Sequence, residues 1–232
     1  MALLRHLPNI ITLSNLLLGC IGIIFAGWGD LISAARCIYI AAILDFFDGF
    51  AARALKASSP IGKDLDSLSD VVSFGVLPGI LLYQLSASVP GIIGLEYAVL
   101  ILPLLSALRL ARFNHDTRQS DKFIGVPTPA SAILVASLLI WLFSSPASIM
   151  PELNKTIVAA FALGLALLLN APFALFALKF KHFGWSGNEL IYVFLIFSLI
   201  LIISLSYLGL AFVILAYILV SAVLALFKPK IR

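Results

Sequence analysis

Residues 45–70 read DFFDGFAARALKASSPIGKDLDSLSD, and this stretch decides how the fold is assembled. Asp45 and Asp48 are three residues apart, so a helix through them carries both carboxylates on one face. Pro60 suits the first turn of a second helix, and Ser59 suits its N-cap because a serine hydroxyl accepts a hydrogen bond from a free backbone N–H. The stretch therefore predicts two helices joined by a short loop.

The composition of the whole chain excludes a soluble domain. Of the 232 residues, 62% are hydrophobic and 11% are charged, and the mean hydropathy is +1.13. Soluble domains are about 25% charged, so this chain has too little polar surface to face water on all sides. We expect an all-α, polytopic membrane helix bundle that contacts membrane lipids and binds no nucleic acid.

Charges, glycines and prolines divide the chain into eight apolar stretches of about the 20 residues that span a bilayer. The seventh and eighth are separated only by residues 207–209, so a single bent hairpin is an open alternative. We expect one domain, 1–232, with the acidic segment 45–70 as its functional part and helices at 157–227 as its C-terminal part. The predicted spans are 9–28, 32–55, 61–86, 91–113, 127–145, 157–178, 188–206 and 208–227.

The basic residues predict the orientation. If the N-terminus is cytoplasmic, all of the 15 Lys and Arg residues except Arg36 and Lys155 fall on the cytoplasmic side. The positive-inside rule then makes both termini cytoplasmic, and the loops 53–64 and 109–123 share that face. We expect an integral plasma (inner) membrane protein of a bacterium or archaeon, with the acidic segment facing the cytoplasm.

The second predicted helix also carries acidic residues at a helical repeat. Gly62, Asp66 and Asp70 recur every four residues and share one face, whereas Asp64 points elsewhere and is assigned no role. Two antiparallel helices would direct four carboxylates towards each other, where they would repel. Each costs about 2.5–3.5 kcal/mol near the middle of a membrane helix. Bound Mg²⁺, Mn²⁺ or Ca²⁺ removes this conflict, because hard cations prefer oxygen ligands.

Two further residues in the stretch suit a phosphate ligand. Gly49 follows Asp48 directly and, having no side chain, lets a ligand or a partner helix approach closely. Arg53 can present a planar fork of donors to a phosphate group. Carboxylates, metal, glycine and arginine together favour a bound diphosphate and phosphoryl transfer.

The pattern of fixed residues resembles the signature of the CDP-alcohol phosphotransferase family without a departure. The resemblance implies that the four aspartates hold two Mg²⁺ or Mn²⁺ ions, and that Asp70 is also the base that deprotonates an acceptor hydroxyl. It implies a homodimeric enzyme whose lipid substrate is CDP-diacylglycerol. The matching pattern is Asp45-x2-Asp48-Gly49-x2-Ala52-Arg53-x8-Gly62-x3-Asp66-x3-Asp70.

Contacts with the CDP-lipid follow from the same resemblance. Within the stretch they are expected from Gly49, Ala52, Arg53, Ser59 and Gly62. Residues 8–15 read PNIITLSN and are similar to the first-helix pattern of the family, which places Asn9, Thr12 and Asn15 near the nucleotide. The alternative is that these polar side chains hydrogen-bond a neighbouring helix.

The acceptor alcohol is predicted from a second pair of motifs. Residues 106–114 read SALRLARFN and residues 123–129 read FIGVPTP, which resemble the branch of the family that uses L-serine. The predicted acceptor contacts are Arg109, Arg112 and Asn114. A serine carboxylate suits either arginine, because an arginine binds a carboxylate through two hydrogen bonds. The arginines could instead only anchor the helix end. Glycerol 3-phosphate or an inositol phosphate is the alternative acceptor.

A membrane cation transporter is the competing class, because acidic residues inside membranes often mark ion pathways. The acidic residues of the stretch cluster at one end of the predicted spans, and the others, Asp30, Glu96, Glu152 and Glu189, lie near helix ends. The sequence thus offers no continuous acidic path and favours the enzyme.

Overall fold

The computed structural model describes residues 6–57, 59–115, 124–144, 152–176, 178 and 184–227. In these ranges the protein is helical, and the only β-type pairing is a single bridge between Ile124 and Ala174. The all-helical prediction is therefore confirmed. The elements are α1 (Leu7–Gly27), α2 (Leu31–Ala54), α3 (Pro60–Asp70), a π-helical segment (Val71–Val76), α4 (Leu77–Ser88), a 3-10 segment (Leu95–Leu100), α5 (Ile101–His115), α6 (Thr128–Ser144), α7 (Lys155–Leu169) and α8 (Glu189–Phe227).

The outer surface of the bundle is apolar. Among the described residues, three helical stretches are long and apolar enough to cross a membrane: Leu7–Gly27, Pro60–Ser88 and Glu189–Phe227. Large apolar side chains face outwards along them, such as Leu17 at 60% exposure and Leu219 at 65%. Exposed apolar surface on this scale needs a lipid environment, so the chain is a membrane protein.

Small residues let α1 pack closely against its neighbours. A Cβ atom on Gly19 would lie 2.5 Å from Ser73 Oγ, and one on Gly22 would lie 2.5 Å from a methyl carbon of Leu77. Membrane helices associate through such close backbone contacts, because lipid provides no hydrophobic force between them. α1 thereby packs along α2 and the chain from α3 to α4.

The predicted third span contains a change of helical register. The segment Val71–Val76 is π-helical and is followed by Pro78 in the first turn of α4. Proline has no N–H to donate to the carbonyl four residues earlier, so the α-helical ladder is interrupted here. The π-helix begins directly after Asp70.

The structure shortens the sixth predicted span and bends the chain at the junction of the last two. α7 ends at Leu169 although the sixth span was predicted to reach residue 178, because Pro172 disfavours helix just before it. Within α8, Ser206 has φ 50° and ψ −121°, and Gly209 lies directly against the carbonyl group of Leu201. The chain therefore folds back sharply at the predicted junction of the last two spans.

The two ends of the bundle carry different polar groups. At one end α1 begins, α2 ends and α3 begins, and we call this the aspartate end. At the other end, Lys155 Nζ donates a 2.7 Å hydrogen bond to Glu96 Oε2, and the Lys155 N–H donates to the Pro90 carbonyl. The course of the chain through α1, α2 and α3 thus brings the acidic segment to a single end.

Candidate active site

A cleft of about 520 Å³ opens at the aspartate end, between the start of α1, the end of α2 and the start of α3. The loop between α2 and α3 is closed by Ser59, whose hydroxyl oxygen accepts a 3.0 Å hydrogen bond from the Gly62 N–H. Pro60 occupies the first turn of α3. Both predictions for this helix start are confirmed, and the cap fixes the direction in which α3 leaves the cleft.

Three of the predicted carboxylates converge. Asp45, Asp48 and Asp66 each place one oxygen so that the three atoms lie within 4.8 Å of one another. Oxygens bound to one Mg²⁺ at about 2.1 Å are at most about 4.2 Å apart, and two ions in one site are about 3.5–4 Å apart. A hard donor set at this spacing fits a divalent metal after small side-chain movements.

Asp70 lies one turn further into the bundle. Its side chain is 7% exposed and within hydrogen-bonding reach of Asp45. Its Oδ1 atom has no hydrogen-bond partner among the described residues. Burying a carboxylate oxygen without a partner costs free energy. A bound metal ion, a ligand or a proton on the carboxylate would offset this cost.

Thr12 orients one of the carboxylates. Its hydroxyl lies 2.7 Å from Asp48 Oδ2 and 3.0 Å from the carbonyl oxygen of Pro8, and its single hydrogen is donated to one of them at a time. The shorter distance is to the charged oxygen, where hydrogen bonds are stronger. Thr12 also lines the cleft. The bond to Asp48 on α2 is the contact with a neighbouring helix that the sequence analysis left open beside the nucleotide contact.

Two serines that the sequence analysis did not single out fix α3 against α1. Ser69 Oγ donates to the Thr12 carbonyl at 3.1 Å, and Ser73 Oγ donates to the Asn15 carbonyl at 3.0 Å. They flank Asp70 on either side of the start of the π-helix. A serine four residues after another is their only signal in the sequence, and it is too common to predict these contacts.

The predicted CDP-lipid contacts fall into two groups. Seven of the eight line the cleft, and Asn15 does not: it is fully buried, and its side-chain amide has no hydrogen-bond partner among the described residues. A Cβ atom on Gly49 would lie 3.4 Å from Arg53 Nη1, and one on Gly62 would lie 3.2 Å from Asn9 Oδ1. The residues that line the cleft are Asn9, Thr12, Gly49, Ala52, Arg53, Ser59 and Gly62.

The predicted acceptor arginines have different surroundings. Arg109 is 7% exposed, lies within electrostatic range of Asp70, and has its guanidinium carbon 5.8 Å from the centre of the Phe113 ring. Its Nε has no hydrogen-bond partner among the described residues. Arg112 is exposed. Only Arg109 is thus buried beside the proposed base.

Asn114 is occupied by protein contacts. Its Nδ2 donates a 2.8 Å hydrogen bond to Ser67 Oγ, and its backbone carbonyl accepts a 2.8 Å hydrogen bond from Lys63 Nζ. Ser67 Oγ also contacts the Lys63 carbonyl at 3.2 Å. These bonds tie the end of α5 to α3. Of the motif at 123–129, Phe123 lies outside the described residues.

The predicted site residues fall into two groups, which we call the aspartate half and the acceptor half. The aspartate half comprises the four aspartates with the cleft between α1, α2 and α3. The acceptor half comprises Arg109 and Asn114 on α5 together with residues 124–129. A carboxylate cluster beside a glycine- and arginine-lined cleft in a helical membrane protein defines a class of metal-dependent phosphoryl transfer sites.

Comparison with known proteins gives the family. A protein-family model described as CDP-alcohol phosphatidyltransferase matches residues 5–177. The CDP-diacylglycerol–serine O-phosphatidyltransferase of Helicobacter pylori is 32% identical over 199 residues, which cover 84% of this chain and 81% of that protein. The chain therefore belongs to the CDP-alcohol phosphatidyltransferase family, and the resemblance in the acidic segment is confirmed.

Two further relatives carry the same name. The Bacillus subtilis CDP-diacylglycerol–serine O-phosphatidyltransferase is 33% identical over 186 residues, which cover 80% of this chain and 96% of that protein. The one from Methanocaldococcus jannaschii is 38% identical over 129 residues, or 56% of this chain and 58% of that protein.

Proposed function

We propose that this protein transfers the phosphatidyl group of CDP-diacylglycerol to L-serine, giving phosphatidylserine and CMP. The observation that carries the proposal is the convergence of Asp45, Asp48 and Asp66 within 4.8 Å, at a cleft lined by Gly49 and Arg53. The names of the relatives support serine as the acceptor.

The lipid substrate binds with its headgroup in the cleft and its acyl chains in the bilayer. Its cytidine diphosphate group occupies the 520 Å³ cleft, where Arg53 binds a phosphate and Gly49 permits close approach. Asn9 and Ser59 at the cleft wall offer polar contacts to the nucleotide. Phe46 is exposed on α2 close to the carboxylates and provides an apolar surface along which the acyl chains enter the bilayer.

Asp45, Asp48, Asp66 and Asp70 hold the divalent metal, Mg²⁺ or Mn²⁺, and four carboxylates suffice for two ions. When bound, the metal neutralises phosphate charge and makes the phosphorus a better electrophile. The hydrogen bond from Thr12 holds Asp48 in one orientation. Hydrogen bonds to metal ligands of this kind commonly increase metal affinity.

The group transfer is a displacement at the phosphorus atom that carries the diacylglycerol. The serine hydroxyl oxygen forms a bond to this phosphorus, and the bond from phosphorus to the bridging oxygen of the diphosphate breaks. CMP leaves with that oxygen, and the hydroxyl proton passes to Asp70. The free Oδ1 of Asp70 supports its role as the base. Arg109 binds the serine carboxylate and holds the hydroxyl near Asp70.

The topology that fits this reaction has eight spans, both termini in the cytoplasm, and the site at the cytoplasmic face of the plasma membrane. In support, the described Arg53, Lys63 and Arg109 lie at the aspartate end, while Lys155 lies at the opposite end. We propose one domain over residues 1–232, and a homodimer on the basis of the family resemblance.

A transfer assay tests the proposal. Purified protein receives CDP-diacylglycerol, Mg²⁺ or Mn²⁺, and separately serine, glycerol 3-phosphate or an inositol phosphate. We expect metal-dependent CMP release and phosphatidylserine with serine only. Turnover with another alcohol but none with serine would reject serine as the acceptor. The absence of CMP release with every alcohol tested would reject the transferase and favour the cation transporter.

A further inference from the structure

The end of α7 contacts the helix that carries Arg109. Asn170 follows the last residue of α7, and its Nδ2 donates a 3.0 Å hydrogen bond to the carbonyl oxygen of Leu105 in α5. Leu105 lies four residues before Arg109, so its carbonyl is the α-helical partner of the Arg109 N–H. A carbonyl oxygen has two lone pairs and can accept both bonds. Asn170 therefore holds the turn of α5 from which Arg109 projects.

The same end of α7 also holds the other segment of the acceptor half. The Val126 N–H donates to the Leu168 carbonyl at 3.1 Å, and the Gly125 N–H donates to the Phe173 carbonyl at 2.9 Å. The last carbonyls of a helix lack partners within the helix, so Val126 satisfies one of them. Gly125 has φ +73°, a conformation that residues with a side chain rarely adopt.

We propose that Asn170 is a positioning residue for the acceptor: through Leu105 it fixes where Arg109 stands relative to Asp70, without contacting substrate. The inference rests on the proposed function of Arg109. The Leu168 carbonyl near the end of α7 accepts from the segment before α6, and the Asn170 side chain just after α7 donates to α5. The end of this helix therefore contacts two separate parts of the chain. The C-terminal part of the domain, to which the sequence analysis assigned no site residue, thereby acts on acceptor binding.

The opposite end of α7 provides a matched control. Asn154 is the N-cap of α7, and its Oδ1 accepts a 3.0 Å hydrogen bond from the Ile157 N–H. Asn154→Ala removes one side-chain hydrogen bond at the start of the helix. Asn170→Ala removes two at its end, the bond to Leu105 and a longer one of 3.4 Å to the Ala166 carbonyl of α7 itself. Only Asn170 is bonded to α5, so only its substitution is expected to affect the acceptor.

The experiment measures KM for L-serine, KM for CDP-diacylglycerol, kcat and the melting temperature of the full-length protein in mixed micelles with Mn²⁺. Losing one neutral hydrogen bond corresponds to about a two- to tenfold change in an equilibrium constant. We expect Asn170→Ala to raise KM for serine about fivefold and to leave KM for CDP-diacylglycerol within twofold. Asn154→Ala is expected to lower the melting temperature with both KM values unchanged.

Asn170→Asp is a second variant of similar size that loses the amide donor, and it should give the same shift in KM for serine. An unchanged KM for serine in a folded variant would overturn the positioning role, as would an equal rise in both KM values. The same holds if both Asn170 variants fail to fold while Asn154→Ala folds. Wild-type protein inactive with every alcohol would overturn the proposed function itself, which separates the two failures.

Discussion

The two halves of the site are held together by different kinds of contact. In the aspartate half, side chains meet side chains, as with Thr12 and Asp48 or the three converging carboxylates. In the acceptor half, most contacts that join the segments involve backbone groups, such as the carbonyls of Leu105 and Asn114. Substitutions in the aspartate half should therefore remove metal ligands or the base and lower the rate of the reaction. Substitutions in the acceptor half should move a binding group and change acceptor affinity.

The largest effect is expected for Asp70, because the proposed mechanism assigns it the proton transfer. Asp70→Asn keeps the size of the side chain and removes the base, so we expect kcat to fall about 10³-fold with the fold intact. Initial rates of CMP release and the melting temperature measure this. Asp64→Asn is the matched control, since Asp64 is exposed on the same helix and lies outside the cleft lining. Full activity of Asp70→Asn would exclude Asp70 as the base.

Substitution of Arg109 tests whether the acceptor half binds the carboxylate of serine. Hydrogen bonds to charged groups are worth about 1.5–3 kcal/mol, so Arg109→Gln should raise KM for serine about 10- to 150-fold. Arg112→Gln serves for comparison, because Arg112 is exposed and Arg109 is 7% exposed. The same titrations give KM for CDP-diacylglycerol, which should not change. A larger effect from Arg112 would assign the carboxylate to that residue instead.

Thr12 tests whether the aspartate half depends on the orientation of its ligands. Thr12→Val keeps the shape and removes the hydrogen bond to Asp48, so we expect about tenfold weaker activation by Mn²⁺. Ser14→Ala is the control, because Ser14 bonds only the Ile10 carbonyl of its own helix. Activity titrated with Mn²⁺ gives the apparent affinity. Equal affinities for the two variants would show that Thr12 does not orient a metal ligand.

The aspartate half was predictable from the sequence because its geometry is local. Asp45 and Asp48 share a helical turn, and the cap by Ser59 needs only residues that are near in the chain. The bond from Thr12 to Asp48 crosses 36 positions, so the sequence indicated a polar residue but not its partner. A backbone acceptor such as the Leu105 carbonyl has no signature at all, since every residue has one.

The positions of the membrane spans show the same difference between local patterns and long-range contacts. Hydrophobic runs located the helices, but the end of α7 at Leu169 depends on Pro172 and on the contacts of Asn170 with α5. The predicted role of Asn15 at the nucleotide came from similarity of a short motif, and the buried side chain does not line the cleft. Local patterns therefore predicted the elements, while contacts between distant elements required the structure.

The smallest effect is expected for Asn114. Its substitution decides whether this residue of the acceptor half contacts the acceptor or only ties α5 to α3. The sequence analysis predicted a direct contact with the acceptor, whereas the side-chain amide is bonded to Ser67. If Asn114 acts only by tying α5 to α3, Asn114→Ala should raise KM for serine about two- to threefold. Ser67→Ala should do the same, and the double variant should be no worse than either, because all three lose the same bond between α5 and α3. The bond from Ser67 to the Lys63 carbonyl, which Ser67→Ala also removes, lies within α3.

A direct acceptor contact predicts a different pattern in this cycle. Ser67→Ala would then leave KM for serine nearly unchanged, and the double variant would match Asn114→Ala alone or exceed it. The bond from Lys63 to the Asn114 carbonyl survives in every member of the cycle, because it uses the backbone. α5 therefore stays attached to α3 throughout, and the KM values for serine report the side-chain bond rather than loss of the helix end.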